Sequence, residues 1–161
     1  MTFLGLTGFL TLTDLALKAE IESRDEGEFP WKLDKKGWIE VHKSHNEGLP
    51  FGFLKGYPEA VRMIPLMMAS AVGGVLFWLL QKKGHRMEKL GFALTLAGAL
   101  SNIYDRIFRR YVVDYFSINL GRLKKVIFNL GDVFILLGGG VLLLHEALES
   151  AAEWRKSRKK K

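Results

Sequence analysis

Cysteine is absent from the 161-residue chain. That excludes a disulfide frame, a thiolate zinc site and a thiol nucleophile, and it leaves the redox compartment open. Histidine is scarce, with only His42, His45, His85 and His145. His42 and His45 are close in sequence, but no carboxylate motif beside them makes a metal-ligand pattern, so no metal is expected. Ser70 and Ser101 have no neighbouring histidine base in sequence, so only a pairing in space could activate them. Internal repeats are missing, and the one low-complexity stretch is the basic C-terminal segment. The longest apolar runs also lack a polar stripe, which an amphipathic soluble helix requires.

What is present is clustered. Lys and Arg number 24 against 17 Asp and Glu, a net charge of +7. Such an excess fits nucleic acid, an anionic membrane surface or neither. Mean hydropathy is only +0.08, low for an integral membrane protein. The average misleads, because the charge is concentrated in residues 22–62 and at the C-terminus. Four apolar segments lie elsewhere: 1–17, 63–81, 90–104 and 126–144, the last interrupted only by Asp132. The first lacks a basic leader and a small-residue cleavage site, so it reads as a span rather than a removable signal peptide. A helix crossing a hydrocarbon core of roughly 30 Å needs about 20 residues. The second and fourth segments reach that length alone, and the other two borrow flanking residues.

The expected fold is mainly α and integral to a membrane: a four-transmembrane-helix bundle with a small extracytoplasmic β-hairpin or sheet subdomain. The single membrane domain divides into spans at 1–21, 61–81, 88–107 and 127–149. Between them lie a β-rich extracytoplasmic insertion at 22–60 and an extracytoplasmic loop at 108–126, and a basic cytoplasmic tail follows at 150–161. "WKLDKKGWIEVH" predicts two short strands about Asp34–Gly37, with glycine suited to positive φ. Trp31 and Trp38 suit either the membrane interface or hairpin packing. Pro58 suits the first turn of the second helix. The basic loop 82–89 and the basic tail favour both termini in the cytoplasm. The loop from Arg106 to Lys125 opposes this with six basic residues: Arg106, Arg109, Arg110, Arg122, Lys124 and Lys125. The alternative is a soluble bundle of very apolar helices.

Several polar residues then stand at one end of the bundle. Asp14 and Lys18 share a helix face and can pair. Asn102, Asp105 and Arg106 end the third segment, Asn129 and Asp132 open the fourth, and Asp114 lies between. Singly, each has a structural explanation: Asn129 or Asp132 as a helix cap, Arg106 as a snorkelling cation, Asp14 and Lys18 as a pair. Ionisable groups at membrane depth otherwise point to function. Asp114 and Asp132 could form an acid/base pair, since two close carboxylates share a proton. One takes a proton from water while the other donates to a carbonyl oxygen, which is peptide hydrolysis without a metal or cofactor.

The blocks "DLALK" (14–18), "HNEGLPFGFL" (45–54), "GALSNIYDR" (98–106), "VVDYF" (112–116) and "FNLGD" (128–132) together resemble the lipoprotein signal peptidases, signal peptidase II. The resemblance implies a monomeric, globomycin-sensitive aspartyl endopeptidase of the bacterial inner membrane, with its active site at the extracytoplasmic face. It would cut prolipoproteins just before their diacylglyceryl-modified cysteine. Its partners would be that lipidated substrate and membrane lipid, with no nucleic acid. It implies Asp114 and Asp132 as the catalytic dyad, with Asn102, Arg106 and Asn129 around them. Asn46 and Gly48 would line the substrate side, Asp14 and Lys18 would support, and Gly98 matches a small position. Gly131 stands where the family usually has Ala, and Ser101 where Gly is commoner. Alternatives are a divergent paralogue that binds lipopeptides or acts on another membrane substrate, a small channel subunit, or a peripheral protein whose basic tail binds lipid or RNA.

Overall fold

The computed structural model describes residues 2–48, 53–54, 56–120 and 126–158. The predicted loop-block positions 49–52, the basic residues Arg122, Lys124 and Lys125, and tail residues 159–161 lie outside that set. Four helices run α1 (Phe3–Ser23), α2 (Pro58–Leu80), α3 (Arg86–Phe108) and α4 (Leu130–Arg158). Strands β1 (Trp31–Lys32), β2 (Ile39–Asn46), β3 (Val112–Ile118) and β4 (Ile127–Phe128) form one antiparallel sheet in the order β1-β2-β3-β4. The fold is thus mainly helical with a small sheet. α2 and α4 are long and apolar enough to cross a membrane. α4 does not stop where the apolar run ends; it continues through the basic residues to Arg158.

α3 is the central helix and packs on α1, α2 and α4. Against α1 it is joined by hydroxyls: Thr7 Oγ1 donates to the Ala93 carbonyl (3.2 Å) and Thr11 Oγ1 to the Ala97 carbonyl (3.0 Å). Against α4 it is joined by missing side chains. A Cβ on Gly98 would lie 2.0 Å from the Gly131 carbonyl oxygen, and one on Gly138 would lie 2.5 Å from the Gly91 oxygen. The two glycine pairs are seven residues apart on each helix, two turns, so one face of each antiparallel helix meets the other backbone to backbone. Small residues permit so close a backbone approach.

The sheet lies over one end of the bundle. Ile21, at the end of α1, packs under Val41, Val113 and Tyr115. The β1–β2 connection turns on Asp34, whose carboxylate accepts from the Lys36 and Ile39 amides, and on Gly37 at φ 67°. Trp31 packs against this core and stacks on Phe29, with the Arg24 guanidinium over its ring, so its place is hairpin packing. Trp38 is exposed. The stretch expected as a plain loop at 108–126 instead carries β3, which pairs with β2 and so joins the insertion to the bundle.

β2 holds one extra residue. Val41 stands opposite Phe116, but Ser44 opposite Asp114 and Asn46 opposite Val112. Were the same chain paired regularly from Val41 onward, with no bulge, Asn46 would stand opposite Tyr111 and its side chain would point to the other face. The bulge is what brings Asn46 onto the Asp114 face.

The glycine seam yields a stability prediction. Gly98→Ala should lower the thermal midpoint in detergent, by overpacking worth about 1–3 kcal/mol or more. Gly74→Ala, with nothing within 4 Å of its added Cβ, should hold or raise it through helix propensity. Equal midpoints for the two variants would contradict the close approach.

Candidate active site

A cavity of about 330 Å³ opens where the sheet meets α3 and α4. Its apolar wall includes Val112, Ile127, Phe128, Ile135 and Leu136, and its polar side is Asn46, Asn102, Arg106, Asp114 and Asp132. Asp114 comes from β3 and Asp132 from the first turn of α4.

Asn129 joins the two carboxylates. It precedes α4, and its Oδ1 accepts the Asp132 backbone N–H at 2.9 Å. In return Asp132 Oδ2 accepts the Asn129 N–H at 3.3 Å. This reciprocal pair is a capping box, which satisfies two donors that a helix start leaves free. The other end of the same amide, Nδ2, donates to Asp114 Oδ1 at 2.7 Å. Asp132 is therefore a cap residue and a cavity carboxylate at once.

Each carboxylate has a second amide donor. Asn46 Nδ2 donates to Asp114 Oδ2 (3.1 Å), and Asn102 Nδ2 to Asp132 Oδ1 (2.9 Å). Which way Asn102 faces is set from behind. Its Oδ1 accepts from the Lys18 ammonium at 2.7 Å, so its NH₂ must face Asp132. Lys18 is fully buried, as are Asp14 and Asp105. Its Nζ also lies 3.0 Å from Asp14, 3.3 Å from Asp105 and 3.1 Å from Ser101 Oγ. Asp105 in turn takes the Arg109 guanidinium (2.6 Å) and the Val113 N–H (3.1 Å), which ties the start of β3 to α3.

Arg106 is buried and lines the cavity. It donates to the Asn102 carbonyl (3.3 Å) and the Gly48 carbonyl (3.1 Å), so it holds the residue after Asn46–Glu47 to the bundle. The Gly48 backbone N–H itself donates to Asn46 Oδ1 (3.1 Å). Burial, and the negative charge of Asp132 nearby, push the Asp114 carboxyl up to about 6.

The structure thus brings Asp114, Asp132, Asn46, Asn102 and Arg106 to one cavity, with Asn129 bridging and Gly48 bonded to two of the lining residues, Arg106 and Asn46. Asp14 and Lys18 stand behind it. Gly98 lies at the α3–α4 crossing, where it serves packing. Sequence reading left Ser101 as a departure and gave Tyr115 no part. Yet Ser101 Oγ donates to Asp14 Oδ2 at 2.6 Å, and Tyr115 Oη to Asp14 Oδ1 at 2.8 Å. A hydroxyl beside a buried ion pair was the available signal.

The raised Asp114 carboxyl makes stability depend on pH. Below the ordinary value of 3.8, folded and unfolded chains both hold the proton. As pH climbs through about 6, the folded chain must carry a buried charge that the unfolded chain carries in water, so stability is lost. Asp114→Asn removes that loss. Its thermal midpoint should exceed wild type's at about pH 8, with the gap closing by about pH 4. Parallel curves for the two proteins would contradict it.

Known proteins resemble this chain in sequence and in fold. A family model described as signal peptidase (SPase) II matches residues 6–148. The lipoprotein signal peptidases of Brucella ovis and Brucella melitensis are each 31% identical over 147 residues, 91% of this chain and 88% of theirs. A solved structure described as a bacterial membrane enzyme, at 2.3 Å resolution, superposes with a TM-score of 0.81. At 21% identity it covers 94% of this chain and 90% of its own, and a second, at 1.9 Å, gives 0.75. These two show the fold. The matched length and the curated relatives show more: the chain belongs to the signal peptidase II family.

Proposed function

We propose that the protein is an integral membrane endopeptidase that removes the signal peptide from prolipoproteins, cutting on the N-terminal side of the lipidated cysteine, with Asp114 and Asp132 as the catalytic pair. The observation that carries this reading is the Asn129 bridge between the buried Asp114 carboxylate and the half-buried Asp132 carboxylate at an apolar cavity. The pair holds one proton. The N-terminal end of α4 favours the negative charge on Asp132, and the raised Asp114 carboxyl favours the proton there. The ionised carboxylate takes a proton from the attacking water. The protonated one donates to the oxygen of the scissile carbonyl, giving a neutral tetrahedral diol. The newly protonated carboxylate gives its proton to the leaving nitrogen while the other takes a hydroxyl proton from the collapsing diol, which breaks the C–N bond and restores the one-proton pair. Asn46 and Asn102 keep each carboxylate turned to the cavity.

The apolar wall suits a signal peptide and the acyl chains that follow it. The outer faces of α2 and α4 support a bilayer location. Phe77 on α2 and Leu143 on α4 are 68% and 75% exposed, an apolar surface that water would not leave uncovered. With both termini in the cytoplasm, the sheet and cavity stand at the outer face of the inner membrane. There a substrate anchored by its own signal helix presents the bond. Arg106 holds Gly48, and with it the β2 end of the insertion, over the cavity as a monomer's own cover.

The test is direct. Purified protein in detergent is incubated with lipidated prolipoprotein, and the product mass is followed. Wild type should release the lipidated fragment, with globomycin competing. Asp114→Asn and Asp132→Asn should each lose about 1,000-fold or more in rate. An uncut precursor with wild type, or wild-type cutting by either variant, sinks the reading.

A further inference from the structure

We propose that Tyr115 is a positioning residue for the aspartate pair, gripping the start of α4 from behind the cavity through its phenol oxygen. This deepens the proposed function and rests on the two-aspartate reading.

Tyr115 follows Asp114 on β3, so the two side chains leave the strand on opposite faces. Asp114 faces the cavity and Tyr115 faces the bundle, where it is 6% exposed and packs with Ile21 and Val113. Its hydroxyl does two things. It donates to Asp14 Oδ1 at 2.8 Å, and it accepts the Leu130 backbone N–H at 3.0 Å. Leu130 is the first residue of α4, between the cap residue Asn129 and the Gly131–Asp132 turn. A helix start leaves its first N–H groups without helical partners. Here the Asp132 N–H is taken by Asn129 Oδ1, and the Leu130 N–H is taken by Tyr115.

Adjacent strand residues therefore hold adjacent points of α4. Asp114 holds the Asn129 amide on one face of β3, and Tyr115 holds the Leu130 peptide on the other. One bond would leave the helix start free to swivel about it; two, on opposite faces, fix both distance and rotation. The anchor behind Tyr115 is itself fixed, since Asp14 Oδ2 is engaged by Ser101 Oγ at 2.6 Å and Lys18 Nζ at 3.0 Å. Burial, and the Asp14 charge beside it, push the phenol pKa up, so the hydroxyl keeps its proton and its donor role. Tyr115 does not line the cavity. Its loss should act on the chemical step and leave substrate binding alone.

The experiment is Tyr115→Phe in detergent, assayed with lipidated prolipoprotein across pH. The ring stays and only the oxygen goes. Expected is a fall in kcat of about five- to fifty-fold, with KM within about twofold of wild type. The pH at which the pair titrates in kcat/KM should rise, because a loosened Asn129 donates less well to ionised Asp114. Thr7→Val, which removes an α1–α3 packing bond two turns from Asp14, is the control. It should lower the thermal midpoint and leave kcat and the pH profile unmoved. Should Tyr115→Phe fail to fold, 3-fluorotyrosine at 115 replaces it: a poorer acceptor for the Leu130 N–H, expected to lower kcat a few-fold. Wild-type kcat and pH profile in Tyr115→Phe, or in the fluorotyrosine protein where that stands in, overturn the inference while an inactive Asp114→Asn leaves the dyad standing. An active Asp114→Asn fails the dyad reading and this inference with it.

Discussion

The side-chain amide of Asn129 has two ends, and both are committed. The oxygen accepts from the Asp132 peptide, and the nitrogen donates to the Asp114 carboxylate. Asp132 returns a bond to the Asn129 peptide. The same atoms that begin α4 therefore set where the two carboxylates stand relative to each other. Helix capping is usually a matter of local stability. Here it is also the ruler of the cavity, and the sheet and the other helices are arranged to keep that ruler still. β3 brings Asp114 to it, the β2 bulge brings Asn46, and α3 brings Asn102.

Behind the ruler stands a buried cation. A lone ammonium in such a place would cost many kcal/mol in lost hydration. Lys18 avoids this with acceptors from two helices: Asp14 on its own, and Ser101, Asn102 and Asp105 on α3. Two carboxylates near one ammonium leave an excess negative charge, which the Arg109 guanidinium on Asp105 offsets. The arrangement is more than neutralisation. Because an ammonium can only donate, it decides which end of the Asn102 amide is left to face Asp132.

What the sequence revealed follows from how local each signal is. The apolar runs 63–81 of α2 and 126–144 of α4 reach spanning length with Asp132 their one charge, and they need no partner to be recognised. Asp14 and Lys18 are one helical turn apart, so their pairing is local as well. The hairpin turn at Asp34–Gly37 is readable because Asp and Gly have specific backbone roles there. β3 was taken for a loop because it is buried on both faces, so its residues show no alternation. Its partner strand also lies across α2 and α3 in the chain. Tyr115 was passed over for the same reason: in "VVDYF" an aromatic ring reads as sheet filling, and its hydroxyl has meaning only once Asp14 and Leu130 are beside it. Asp132 was weighed as either a cap or an acid, and the structure makes it a cap that also faces the cavity. The family resemblance supplied the grouping of these residues, which spacing alone left open.

The extra residue in β2 has a consequence of a different kind. Face alternation makes the number of residues between Val41 and Asn46 as decisive as the identity of Asn46. A one-residue insertion there removes no named functional group, yet with the same bulge it would set Asn46 opposite Tyr111 and turn its amide away from Asp114. A one-residue deletion would only flatten the bulge and leave Asn46 opposite Val112. The hairpin tip, held by its own Asp34 turn, can lengthen or shorten without touching that count. Added residues should thus be tolerated at one end of the same strand and silence the protein at the other. The site is encoded in chain length as well as in chemistry.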